Sequence, residues 1–226
     1  MSFLKVINEK SYVQSRLGIP FENLSEAYLR NDVALTTQQV ISFNVQRNQV
    51  ATPLATDRLL ELNDEFVITQ VRVALKQIGS DTPSATQQTT AIVQTYDDPS
   101  IFSGTNASNV SSIYNGSLEF TINRKQFIPQ YPVAAFRRVP DVQTGAYLAT
   151  AGTSGTPAAT FTGNTGVNAY AAYAYGFAPT EPVVISGRST LDINVDLGTS
   201  VSFDDSSNTV YAVLELRGFL VVNAKS

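Results

Sequence analysis

The feature that most constrains the fold is an alternation of apolar and polar side chains near the C-terminus. Residues 189–197 place Leu191, Ile193, Val195 and Leu197 on one face and Asp192, Asn194 and Asp196 on the other. A period of two residues is typical of a half-buried β-strand. The run at 209–222 is apolar on both faces from Val210 to Val222. It predicts a strand in the middle of a sheet, or at a contact between sheets or subunits.

Similar patterns predict strands over residues 40–46, 66–78, 89–97, 117–123 and 182–187. In the segment 66–78, Phe66 and Ile68 follow one phase of the alternation, whereas the apolar residues from Val71 onward follow the other. A change of phase inside a strand predicts a β-bulge near Thr69-Gln70. Asn115-Gly116 predicts a tight turn before the strand at 117–123.

Short strands separated by turn signals, with few helical segments, predict an all-β fold. We expect a single jelly-roll β-sandwich of about eight strands over residues 36–226. Residues 1–35 are predicted to form an N-terminal arm with a short helix at 25–31, SEAYLRN, capped by Ser25. The arm could lie across its own domain or reach a neighbouring subunit.

A long insertion at residues 144–180 is rich in Gly, Ala, Thr and Tyr. Loops of this length are uncommon in compact domains, and flexible linkers seldom carry so many aromatic residues. We expect the insertion to pack on its own domain, on another subunit or on a ligand. The candidate subunit-interface residues are Tyr147, Phe161, Tyr170, Tyr173, Tyr175 and Phe177 in the insertion and Tyr28 in the arm, because aromatic side chains often dominate interface energetics.

The composition argues against several classes of function. The chain contains no His and no Cys, which excludes the usual nucleophilic triads and His or Cys metal sites. We therefore predict a protein that is not an enzyme and needs no cofactor. The net charge is −4 and the 15 basic residues are scattered, so direct nucleic-acid binding is not expected. No run approaches the roughly 20 apolar residues of a membrane helix, and the N-terminus does not resemble a secretory signal.

Two carboxylate pairs, Asp97-Asp98 and Asp204-Asp205, could in principle support hydrolysis or bind Ca²⁺. Both lie in turn-like sequences, where aspartate caps the backbone, and we favour that interpretation. The run AYAAYAYGF in the insertion could stack on sugar rings. This possibility leaves a carbohydrate- or receptor-binding β-sandwich as the alternative function.

The segments EPVVISGRSTLDINVDL, from Glu181 to Leu197, and VYAVLELRGFLVV, from Val210 to Val222, together resemble the closing strands of bacteriophage virion proteins with jelly-roll folds. The resemblance implies a capsid or capsid-associated protein that forms homo-oligomers and contacts other virion proteins. It also implies a location in the virion after assembly in the host cytoplasm. Many capsid proteins of tailless phages have two jelly rolls, whereas this chain has room for one.

Overall fold

A computed structural model describes residues 10–15, 17–99, 101–139, 149–150, 158–159, 179 and 182–222. Its strands are β1 (Ser25–Ala34), β2 (Thr37–Phe43), β3 (Glu65–Ile78), β4 (Ser117–Ile122), β5 (Lys125–Pro132), β6 (Ala149–Thr150), β7 (Ala158–Ala159), β8 (Val183–Ser186), β9 (Leu191–Ser202) and β10 (Thr209–Val221). The α-helices are α1 (Ala85–Thr90) and α2 (Ser112–Asn115), and short 3₁₀ helices cover Phe21–Asn23, Ala107–Ser111 and Val133–Phe136. Residues 10–15 and residue 17 are also helical.

Two antiparallel sheets of four strands form a β-sandwich, which confirms the predicted all-β class. Sheet A has the strand order β1-β10-β3-β8, and sheet B has the order β2-β9-β4-β5. The short strands β6 and β7 pair with each other inside the predicted insertion. The central position of β10 between β1 and β3 confirms the prediction from its two apolar faces.

The main hydrophobic core lies between the two sheets, where alternate residues of each strand point inward. Sheet A contributes Leu29, Val73 and Leu214, and sheet B contributes Ile41, Phe120 and Val195. All six side chains are buried. A core of this kind is the main source of stability for a chain that has no disulfides.

The predicted β-bulge is present in β3. Arg217 pairs with Gln70 while Gly218 pairs with Ile68, so Thr69 is the extra residue. A Cβ atom at Gly218 would lie 1.7 Å from the carbonyl oxygen of Val67. Because no side-chain carbon can approach a backbone oxygen so closely, the bulge requires glycine on the strand opposite.

The outer face of sheet A is also covered. Val13 and Leu24, from the segment before β1, pack against Val67, Phe219 and Val221 of the sheet in a second hydrophobic cluster. Farther along the same face, Val93 packs on Ala74 and Val213. The described part of the N-terminal arm therefore lies across its own domain.

The prediction of a helix at residues 25–31 was wrong, because these residues belong to β1. All ten residues of β1 pair with β10. Ala27, Leu29 and Val33 alternate into the core, so strand pairing overrides the local helical preference of SEAYLRN.

The predicted strand at 89–97 was also wrong. Its first residues form the end of α1. This helix begins with a capping box, in which the Ser84 side chain accepts a hydrogen bond from the Gln87 backbone N–H and the Gln87 side chain accepts one from the Ser84 backbone N–H. Only Gln94 makes strand-like contact, through an isolated bridge to Leu75 of β3.

The segment 115–116, where a tight turn was predicted, ends α2 instead of forming a hairpin turn. Among the described residues, no helix has the length and apolar character needed to cross a bilayer.

Candidate interaction site

Strand β1 lies at the edge of sheet A, and among the described residues no strand lies beside part of its outer edge. Arg30 exchanges two backbone hydrogen bonds with Arg58, each 2.8 Å long, on the side away from β10. Backbone groups of alternate residues in a strand point to the same side. The N–H and C=O groups of Glu26 and Tyr28 therefore point the same way as those of Arg30. Within the described chain they have no backbone partner there.

This free stretch, residues 25–29, is here called the open edge. One end is closed by Arg58, which occupies the position beside Arg30. The other end lies at Ser25, where β1 begins, and the carbonyl of the preceding Leu24 accepts a hydrogen bond from Lys10 Nζ at 2.5 Å. Unpaired backbone donors and acceptors along an edge strand form a ready template for a further strand.

A groove of about 460 Å³ runs along the open edge. Its walls are β1 and the connection between β2 and β3, with Leu29, Pro53, Leu60 and Leu220 among its apolar contributors. Tyr28 also lines this groove, and the residue is 48% exposed. A second, smaller hollow on the outer face also includes Ala27 and Tyr28 and reaches the bulge. The open edge is thus accessible from both faces of the sheet.

The wall opposite β1 is fixed by hydrogen bonds. The carboxylate of Asp57 accepts from the backbone N–H groups of Asp32 at 2.9 Å and Leu54 at 2.8 Å. Burial raises the pKa of Asp57 above its ordinary value, although these two N–H donors oppose that effect. Leu60 also donates its N–H to the carbonyl of Val45 at 2.7 Å. The groove is consequently preformed, which lowers the entropic cost of binding an extended chain.

A buried charged group lies on the outer face of sheet A behind this edge. Asp32 accepts from Arg30 Nε at 2.6 Å and Nη2 at 2.8 Å, and also from Thr56 and the fully buried Lys76. The Lys76 ammonium lies 4.7 Å from the centre of the Tyr211 ring. Burial alone would raise the pKa of Asp32, but hydrogen bonds and the positive charges of Arg30 and Lys76 outweigh it and lower the pKa. These contacts tie β1 to β3 and to residue 56 of the groove wall.

Of the residues predicted at a subunit interface, Tyr28 lies at the open edge. The other six, Tyr147, Phe161, Tyr170, Tyr173, Tyr175 and Phe177, lie outside the described residues. The sequence interpretation did not identify Glu26, Ala27 or the wall at 53–64. The alternation of Ala27, Leu29 and Val33 could have indicated a strand, but its position at a sheet edge depends on pairing with distant residues.

Of the two carboxylate pairs, Asp205 caps the turn backbone as the favoured interpretation predicted, whereas the carboxylates of Asp97, Asp98 and Asp204 contact other side chains. Asp205 accepts backbone hydrogen bonds from Ser207 at 2.8 Å and Thr105 at 2.7 Å, and these bonds lower its pKa. Asp97 forms an ion pair with Arg137 at 2.7 Å. The part of the chain that the structure describes contains no group of three or more acidic, His or Cys residues able to hold a metal ion.

Comparisons of this chain with protein-family models, with curated proteins and with solved structures found no match. The functional argument therefore rests on the sequence and on the geometry described above.

Proposed function

We propose that this chain is a non-catalytic virion structural protein with a jelly-roll fold, which assembles into an icosahedral capsid or a capsid-associated oligomer. Its partners are other copies of itself and other virion proteins, without direct contact to nucleic acid. Its location is the virion, following assembly in the host cytoplasm. The observation that carries the proposal is the order in which the eight long strands pair.

In chain order, the first long strand pairs with the last, the second with the seventh, the third with the sixth and the fourth with the fifth. These pairs are β1-β10, β2-β9, β3-β8 and β4-β5. A long two-stranded ribbon that is rolled into two packed sheets gives this pairing, with two Greek keys. Viral capsid domains and lectins are among the proteins that use jelly rolls.

The surface supports assembly over catalysis. The open edge presents backbone donors and acceptors beside an exposed aromatic side chain, Tyr28, and aromatic residues are enriched at protein interfaces. Only 15% of all residues are charged, which favours close packing against other protein over long-range electrostatic steering.

Light scattering of the full chain over a range of concentrations tests the proposal. We expect a discrete closed oligomer, because assembly around symmetry axes buries complementary patches. A matched pair of variants, Tyr28→Glu at the edge of sheet A and Gln39→Glu at the edge of sheet B, tests whether the open edge takes part. We expect the first variant to weaken the oligomer and the second to leave it unchanged.

A monomer at every concentration would contradict self-assembly. If that monomer also bound a glycan array, and Tyr173→Ala abolished the binding, the carbohydrate-binding alternative would replace the proposal. Deletion of residues 165–178 provides a further check, since a folded but less assembled protein is expected and an unfolded protein would contradict the assigned role of the insertion.

A further inference from the structure

We propose that two copies of this chain join through their open edges, with β1 of one copy antiparallel to β1 of the other around a two-fold axis at Ala27. The two A sheets would then form one continuous sheet across the dimer. This inference rests on the proposed function, because it specifies one contact of the assembly.

The limits of the open edge match such a two-fold pairing. The edge spans residues 25–29, and Ala27 is its central residue. In the paired arrangement, residue 25 lies opposite residue 29 of the second copy, and residue 26 lies opposite residue 28. The second strand begins at its own Ser25, so it ends directly before the position that Arg58 already fills beside Arg30. Two copies therefore meet over five residues each, without displacing Arg58.

The backbone groups on this edge are complementary under the same symmetry. Glu26 and Tyr28 carry the N–H and C=O groups that point outward. When Glu26 lies opposite Tyr28 of the second copy, each pair exchanges two hydrogen bonds. The two-fold axis generates the pair twice, giving four hydrogen bonds that use every free donor and acceptor of these two residues. Such a contact is isologous, as expected for a homodimer.

The side chains also permit this pairing. Ala27 faces Ala27 of the second copy, so the closest approach involves only methyl groups. Glu26 lies beside Tyr28 of the second copy, and no pair of like charges stands directly opposite. The open edge contains no Pro, no Lys and no bulge, which are the devices that commonly protect an exposed edge from pairing. The open edge is thus self-complementary in its hydrogen bonds and its charges, which favours a second copy as the partner.

A single cysteine tests the register, because the natural chain contains none. Residues directly opposite in a non-hydrogen-bonded pair have Cα atoms about 4.5 Å apart, which lies within the range that a disulfide spans. Mild oxidation of the Ala27→Cys protein should give a covalent dimer of twice the 24.4 kDa chain mass, reversible by reductant. The control is Gln39→Cys on β2, an exposed position on the edge strand of sheet B.

We expect Ala27→Cys to form at least about tenfold more dimer than Gln39→Cys at equal concentration, because pairing raises the local thiol concentration. Adding Tyr28→Pro should abolish the excess. The proline removes the N–H of residue 28, which has no backbone partner within the described chain, and circular dichroism should confirm that the fold is kept. Equal dimer yields from the two cysteine variants would overturn the inference. If light scattering still found an oligomer, the proposed function would stand without this contact, whereas a monomer would refute both.

Discussion

The ion pair between Asp32 and Lys76 should respond very unequally to removal of either partner. Lys76 is fully buried, and Asp32 is the carboxylate that it contacts. Asp32, in contrast, also holds Arg30 through two hydrogen bonds and accepts from Thr56. Asp32→Asn leaves a buried ammonium without a counter-charge, whereas Lys76→Met leaves Asp32 with its other partners.

Breaking a buried pair so that one charge remains uncompensated costs about 3–5 kcal/mol. We expect a loss of this size in the free energy of unfolding for Asp32→Asn. For Lys76→Met the loss should be about 1 kcal/mol or less, because the methionine fills the space with apolar atoms and the remaining carboxylate is still paired. In a chain of this length, each kcal/mol changes Tm by about 2–4 °C. Asp32→Asn should therefore lower Tm by roughly 6–20 °C.

Urea unfolding, followed by circular dichroism and intrinsic Tyr fluorescence, measures both variants. Equal m values would show that the changes act on stability and not on the extent of unfolding. The double variant Asp32→Asn/Lys76→Met should recover part of the loss caused by Asp32→Asn alone. Equal destabilisation by the two single variants would refute the assignment of Asp32 as the centre of this charged group.

Three further outcomes follow from the structure. Gly218→Ala should lower the free energy of unfolding by more than about 3 kcal/mol, because the new Cβ would meet the Val67 carbonyl. In the control Gly79→Ala, the nearest atom to the new Cβ lies at 3.9 Å, so the free energy of unfolding should change by no more than about 0.5 kcal/mol. The same urea assay measures both variants. Folding lowers the pKa of Asp32, so the stability that its carboxylate contributes is present above the usual pKa of 3.8 and is lost as the pH falls through the lower pKa of the folded state. Acid should therefore destabilise the wild type more than the Asp32→Asn variant. Burial and the Asp98 carboxylate raise the pKa of Tyr96 to about 12, and Asp98→Asn should bring it closer to 10 in an ultraviolet titration.

Strands that bury one or both faces could be predicted from the sequence. The segments that became β3 and β9 repeat apolar residues with a period of two, and the segment that became β10 is apolar on both faces. The phase change in β3 located the bulge at Thr69. In these segments the local pattern and the tertiary environment agree, so no information from distant residues is needed.

The first strand could not be predicted because its sequence supports two structures. Leu24, Tyr28 and Leu29 have helical spacing, and Glu, Ala, Leu and Arg all favour helices. In the same segment, Ala27 and Leu29 are two residues apart, as in a strand with one face toward the core. The choice is made by β10, which lies almost two hundred residues away and pairs along the whole strand. The sequence pattern also did not predict β5, which contains Pro129. Proline is tolerated there because β5 is an edge strand.

The candidate site could be predicted only in part for a related reason. An exposed aromatic residue such as Tyr28 is visible in the sequence as a possible contact. Its place on an open edge depends on which strands are neighbours and on the bridge between Arg30 and Arg58. Sheet edges are properties of topology, so a local pattern cannot identify them.

The two sheets offer different surfaces to another copy of the chain, and the difference favours contact at the edge of sheet A. The outer face of sheet B carries the carboxylates of Glu119, Asp192 and Asp196 on adjacent strands. Two such faces would repel each other, since like charges brought together at an interface are costly. The outer face of sheet A is already covered by Val13, Leu24 and Val93. With one face covered and the other acidic, the faces of the two sheets are less suited to a second copy than an edge, and at the open edge a second copy can add hydrogen bonds without displacing a segment or opposing like charges.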